Sequence, residues 1–171
     1  LLKQSQIHWI RAGIFKPRTS PYSFQGLGSL AIDSILQLKN VYNFRLVTEI
    51  TAIEQYSQMD SVTDMFQVGA RNMGNFELLK FLSKQEKPVL LKRNFGATVK
   101  EYLLAGEYLA LGKCLPLFCE RGIRTFSDTT RYTLDLGSIK VLKQTVHIPV
   151  IVDPSHAAGK REHVIPLAKA A

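Results

Sequence analysis

The chain has 171 residues, of which 46% are hydrophobic and 21% charged, so it can bury a real core and is neither a disordered nor a fibrous polypeptide. No apolar stretch is long enough to span a bilayer, and Leu1-Leu2-Lys3-Gln4 lacks the pattern of a signal peptide. The net charge of +8 and pI of about 9.6 point to anionic partners.

Six apolar runs read as strands: Ile7–Ile14, Phe44–Ile50, Met65–Ala70, Pro88–Lys92, Leu115–Glu120 and Ile148–Val152. They are rich in Val, Ile, Leu and Phe without clean alternation, as parallel strands buried on both faces are. Helical spacing lies between them. Leu30, Ile35, Leu36 and Leu38 form one apolar face, and Phe76, Leu78, Leu79 and Leu82 a second. Val99, Tyr102, Leu103, Gly106 and Leu109 form a third, with Thr98 as N-cap and Gly112 as stop. Leu134, Ile139, Val141 and Leu142 suggest a fourth. Repeated strand–helix alternation predicts a parallel α/β fold. No linker rich in Pro, Gly or Ser interrupts it, so one domain over residues 1–171 is expected.

Each strand ends in a charged or polar residue: Arg11, Glu49, Arg71, Lys92, Arg121, and Asp153 with His156. In a parallel barrel such C-terminal strand ends carry the active site. Alternation puts Gln67, Gly69 and Arg71 on one face, Leu90 with Lys92, and Leu117, Cys119 and Arg121 likewise. If Arg71, Lys92 and Arg121 point inward they share one pocket, where phosphate and carboxylate groups would neutralise them. No run of basic residues exceeds two, so small phosphorylated ligands are expected rather than nucleic acid. Cys114 and Cys119 match neither a disulfide framework nor a zinc spacing, and read as small buried hydrophobes in a reducing cytosol.

Arg11-Ala12-Gly13-Ile14-Phe15-Lys16-Pro17-Arg18-Thr19-Ser20 sets Lys, Arg and a hydroxyl within four residues of a proline-stiffened turn, a grouping able to grip phosphate. It is followed in order by Gly69-Ala70-Arg71-Asn72-Met73, Leu90-Leu91-Lys92-Arg93, Cys119-Glu120-Arg121-Gly122-Ile123-Arg124-Thr125 and Asp153-Pro154-Ser155-His156. From about Ile7 to Ala171 this series resembles the 3-deoxy-D-arabino-heptulosonate-7-phosphate (DAHP) synthases, in the branch similar to the KDO8P synthases.

The resemblance implies a (β/α)₈ TIM barrel, incomplete here, with about six βα units corresponding to strands 2 to 7 of the family barrel. It implies condensation of phosphoenolpyruvate with erythrose 4-phosphate, by attack of C3 on the aldehyde, addition of water at C2 and loss of phosphate. Arg11, Lys16, Glu49, Ala70, Arg71, Lys92 and Arg121 match positions around phosphoenolpyruvate, with Lys16 and Arg11 the catalytic candidates and Lys16 the one suited to handling a proton. Arg18 and Thr19 match the grip on the erythrose 4-phosphate phosphate. His156 matches one ligand of a divalent metal of the Mn, Fe, Zn or Co class.

The family's other metal ligands, a cysteine from a Gly-Pro-Cys segment before Leu1 and a Glu and an Asp after Ala171, are not in this sequence. The 171-residue chain is therefore expected to hold the metal poorly. Lys92-Arg93-Asn94 also departs from the family, which usually has Gly after the Arg. A KDO8P synthase is the alternative enzyme, against which Lys16-Pro17-Arg18-Thr19 argues. An inactive chain that binds anions without turnover is the alternative of another class. Glu49 has a structural alternative as partner of a neighbouring Arg, while Trp9, Phe66 and Phe118 read as core. The resemblance further implies a cytoplasmic homo-oligomer, without nucleic-acid or membrane partners.

Overall fold

The computed structural model describes residues 8–171, and the readings of Leu1–Gln4 and of Ile7 as a strand residue lie outside them. The chain divides into two compact units, residues 1–68 and 69–171. Each is built from consecutive parallel strands.

In the first unit β1 (Trp9–Arg11), β2 (Arg45–Ile50) and β3 (Met65–Val68) lie side by side in chain order. Arg11 pairs with Val47 and Glu49 with Gln67, which brings the strands' C-terminal ends to one edge. Side chains fix the register. The Asp64 carboxylate accepts from Leu46 N at 2.7 Å and also holds the Lys39 ammonium. Thr48 Oγ1, fully buried, accepts from Ile14 N at 3.2 Å.

Helix α1 (Ile32–Tyr42) ends at Asn43, whose left-handed φ of 49° suits a short polar side chain. Its apolar face differs from the expectation. Leu30 falls in the 3-10 turn Gly28–Ala31 before the helix, and α1 has no buried residue. Helical periodicity locates a helix, but burial also needs a facing surface.

The one-turn α2 (Tyr56–Met59) was not apparent in the sequence. Only Met59 of its four residues is buried, too little for a periodic pattern.

In the second unit β4 (Val89–Lys92), β5 (Pro116–Glu120) and β6 (Val150–Val152) are again parallel and consecutive. Helix α3 (Phe76–Ser83) is capped by the Asn75 side chain and buries Leu78, Leu79 and Leu82. Helix α4 (Val99–Ala110) opens on a capping box. Thr98 Oγ1 accepts from Glu101 N, and Glu101 Oε2 accepts from Thr98 N.

Its Tyr102 hydroxyl donates to Leu91 O at 2.7 Å and accepts from Cys119 N at 2.6 Å, tying β4 to β5. Gly106 lets α4 sit directly on Phe118: a Cβ there would meet the ring at 2.4 Å. Helix α5 (Leu136–Thr145) starts at the Asp135 cap, and α6 (Pro154–Ala158) at Asp153. Helix α7 (Arg161–Ala170) follows Gly159, which holds a φ of 71° beside Arg131.

All six predicted strands are present, each trimmed by one to three residues at one or both ends. The structure is α/β, with the parallel βα repeats of a (β/α)₈ barrel in fewer than the eight copies of a closed one.

Candidate active site

Within the first unit, Arg11 closes β1. Its Nη2 lies 3.5 Å from Glu49 Oε2, and its Nε donates to Gln67 Oε1 at 2.5 Å. Glu49 is thus the partner of a neighbouring Arg, and it fixes the direction of the Arg11 guanidinium.

The Lys16–Thr19 turn is held as a loop by backbone contacts at both sides. Lys16 N donates to Gln25 O at 2.7 Å and Gly28 N to Ile14 O at 3.1 Å. Gly26 has a φ of 99°, and a Cβ there would fall 2.2 Å from Ile14 O. Lys16 Nζ lies 5.7 Å above the Phe24 ring. Arg18 Nε donates to Phe24 O at 3.2 Å, while Thr19 sits exposed at the loop surface.

In the second unit Ala70 and Arg71 lie in the 3-10 turn Ala70–Asn72, beyond the end of β3. Strand alternation therefore stops short of Arg71, which is exposed, whereas Lys92 and Arg121 are 4% and 5% exposed. Lys92 closes β4, opposite Cys119, and Arg121 follows β5 directly.

The Lys92 ammonium lies 2.5 Å from Asp153 Oδ2 and 3.3 Å from His156 Nδ1. The same Asp153 oxygen is 2.5 Å from His156 Nδ1, and Asp153 Oδ1 accepts from His156 N. Burial alone would raise the Asp153 carboxyl, but the His156 hydrogen bond and the Lys92 charge hold it far below the usual carboxylate range.

Arg121 stands with its Cζ 4.1 Å over the Tyr132 ring, and Tyr132 stacks on Phe95 at 5.6 Å. Its Nε and Nη1 are buried without an acceptor among the described residues. A buried guanidinium donor left so is costly, and an anion would satisfy it. Burial would raise the Tyr132 hydroxyl, yet the hydrogen bond and charge of Arg121 bring it below its ordinary value.

On the far side of the strands Arg93 Nη1 bridges Glu120 Oε2 at 3.0 Å and Asp135 Oδ2 at 2.8 Å.

Among the described residues no group of three or more His, Cys, Asp or Glu side chains is placed to hold a metal ion. His156 has its Nδ1 engaged by Asp153, and one imidazole by itself does not make a metal centre. Both cysteines are buried, and burial pushes the Cys114 thiol up to about 11, so it is an inert packing group.

The sequence reading passed over Asp153 as a partner of Lys92, as well as Arg93, Glu120 and Tyr132. Asp153 was detectable as the cap in Asp-Pro-Ser-His. Tyr132 gave no signal, because its contact with Arg121 crosses a loop.

Consecutive parallel βα repeats define the class, an incomplete (β/α) barrel, with buried Lys92 and Arg121 at the ends of β4 and β5. More narrowly, the chain belongs to the DAHP synthetase I family, which it matches over residues 1–171.

It is 43% identical over 171 residues to a phospho-2-dehydro-3-deoxyheptonate aldolase of Thermotoga maritima, covering 99% of this chain and 51% of the relative. A 2-dehydro-3-deoxyphosphooctonate aldolase of Francisella philomiragia is 28% identical, over 90% of this chain and 60% of that one. The crystal structure of the Thermotoga maritima DAHP synthase superposes with a TM-score of 0.87 at 42% identity, covering 95% of this chain and 47% of that one. A truncated form of the Thermotoga enzyme gives 0.88 at 38% identity, over 99% and 62%. The chain thus spans about half the length of the Thermotoga relative. The fold class is that of an incomplete (β/α)₈ barrel.

Proposed function

We propose that the protein is a DAHP synthase, joining phosphoenolpyruvate to erythrose 4-phosphate at the entry to aromatic biosynthesis, in a single cytoplasmic barrel domain that assembles as a homo-oligomer. The observation that carries this reading is the buried Arg121 guanidinium one residue beyond β5, two of whose nitrogens have no acceptor among the described residues. Family membership supports it, as does the greater identity to the heptonate than to the octonate aldolase.

In this reading Arg121, Lys92, Arg71 and the Ala70 turn bind phosphoenolpyruvate, together with Arg11 and Lys16 as oriented by Glu49 and the loop. Arg18 and Thr19 take the sugar phosphate. Carbon–carbon bond formation between C3 and the aldehyde carbon turns the aldehyde oxygen into a hydroxyl, and the Lys16 ammonium is the proton donor assigned to it. Water supplies the new oxygen at C2 and gives up two protons, one restoring Lys16 and one leaving with the phosphate, as the bond from C2 to the phosphate oxygen breaks to leave a ketone. The divalent metal implied for the complete enzyme takes His156 as one ligand, and the residues described here do not complete its site.

The test is a titration of the purified protein with phosphoenolpyruvate, followed by a turnover assay with erythrose 4-phosphate on the complete enzyme. Saturable binding is expected, and its absence would remove the reading.

Arg18→Ala should raise the Michaelis constant for the sugar phosphate roughly tenfold to hundredfold, the worth of one charge-assisted hydrogen bond. The constant for phosphoenolpyruvate should hold steady, and equal effects on both would refute the division of the cations.

Calorimetric titration of the 171-residue chain with Mn²⁺ or Zn²⁺ should show no micromolar site, because one imidazole competes poorly with water. A stoichiometric micromolar site would overturn that expectation.

A further inference from the structure

We propose that the buried Arg93–Glu120 pair is a positioning device, fixing from behind the strand ends that present Lys92 and Arg121 to the ligand. This rests on the phosphoenolpyruvate reading above and adds residues to it.

Arg93 follows Lys92 directly, and Glu120 directly precedes Arg121. Neighbours on a strand point to opposite faces. Lys92 accordingly reaches Asp153 and His156, while Arg93 turns the other way to Glu120 and Asp135. The pair touches backbone on both sides of the two cations. Arg93 Nε donates to Ala97 O at 3.1 Å, in the loop after β4, and Arg93 N donates to Cys119 O at 3.1 Å.

Glu120, with no exposed surface, accepts from Gly122 N at 2.7 Å and from Ser138 Oγ at 3.2 Å. The first of these bonds fixes the turn just after Arg121, where Gly122 takes a φ of 94°. The Glu120 carbonyl accepts from Asp153 N at 2.8 Å, which locates the carboxylate that holds Lys92.

A buried ion pair contributes little net stability compared with apolar side chains of its size. Its value here is geometric. The guanidinium fork meets Glu120, Asp135 and Ala97 at once, which an ammonium cannot do. Lys92 closes β4 and Arg121 follows β5 directly, so any shift of either strand end moves its cation. A misplacement of about 1 Å in such a grip can cost on the order of a hundredfold.

The experiment compares Arg93→Lys and Glu120→Gln with the unaltered protein. Phosphoenolpyruvate affinity is measured by calorimetry at a temperature where circular dichroism shows every variant folded. A core control is Gly106→Ala, whose added methyl would press on Phe118 and should lower the melting temperature without removing a member of the network.

Arg93→Lys and Glu120→Gln should weaken phosphoenolpyruvate at least tenfold, and Gly106→Ala should not. In the complete enzyme the Michaelis constant for phosphoenolpyruvate should rise and that for erythrose 4-phosphate stay constant. Should either buried-pair variant fail to fold, Asp135→Asn, at the partly exposed end, should still weaken binding several-fold.

Wild-type affinity in the folded variants overturns the positioning role, as does an equal loss in Gly106→Ala. If the unaltered protein binds no phosphoenolpyruvate, the functional reading fails and takes this inference with it.

Discussion

Replacing Lys92 by alanine is expected to weaken phosphoenolpyruvate binding by roughly tenfold to hundredfold, the worth of a charge-assisted hydrogen bond at a buried site. Lys92 is 4% exposed at the end of β4, and its ammonium neutralises Asp153. In the proposed site, its removal would delete a donor to the ligand and leave the Asp153 carboxylate facing an incoming anion. Both effects lower affinity. Lys92→Arg should retain part of the binding, since charge is kept while the reach differs. Calorimetric titration of the three proteins decides the matter, and an unchanged affinity in Lys92→Ala would take this residue out of the site.

Asp153→Ala should be the most destabilising of the site substitutions. The carboxylate pairs with a buried ammonium, and breaking such a pair by removing one partner costs about 3–5 kcal/mol. It also caps α6 through His156 N, and losing a cap costs about 1 kcal/mol. Asp153→Asn keeps an oxygen for the cap and should lose less. Urea unfolding followed by circular dichroism reads the difference. A midpoint for Asp153→Ala equal to that of the unaltered protein would show that the Lys92–Asp153–His156 cluster carries no stability.

Much of the second unit was legible from local chemistry. Thr98 with Glu101 forms a capping box whose partners lie three residues apart, so the start of α4 needs no distant contact. The runs Pro88–Lys92 and Leu115–Glu120 read as strands because strands buried on both faces admit few polar side chains, and β4 and β5 fall within them. The ordered cations stood out because lone charges beside apolar runs are otherwise unfavourable, and together they pointed to phosphate and carboxylate ligands.

Short elements were harder. Helix α2 buries a single residue, and α6 is five residues long, so neither shows a hydrophobic period. Arg71 read as the end of a strand because the alternation of Gln67 and Gly69 continues through it on paper. In the structure the backbone turns into a 3-10 helix at Ala70 and breaks that alternation.

The sequence by itself determined the strand–helix order, the family and the identity of the cations at the strand ends, because each depends on residue type and near-neighbour spacing. Only the tertiary structure decided which partner each charge meets. Lys92 and Arg93 are adjacent and both basic, yet one meets Asp153 and His156 while the other meets Glu120 and Asp135. Those partners lie 27 to 64 residues away. The physical reason is that a buried charge must find its counterpart wherever the parallel strands and their loops bring one, and that pairing across strands leaves no trace in local spacing.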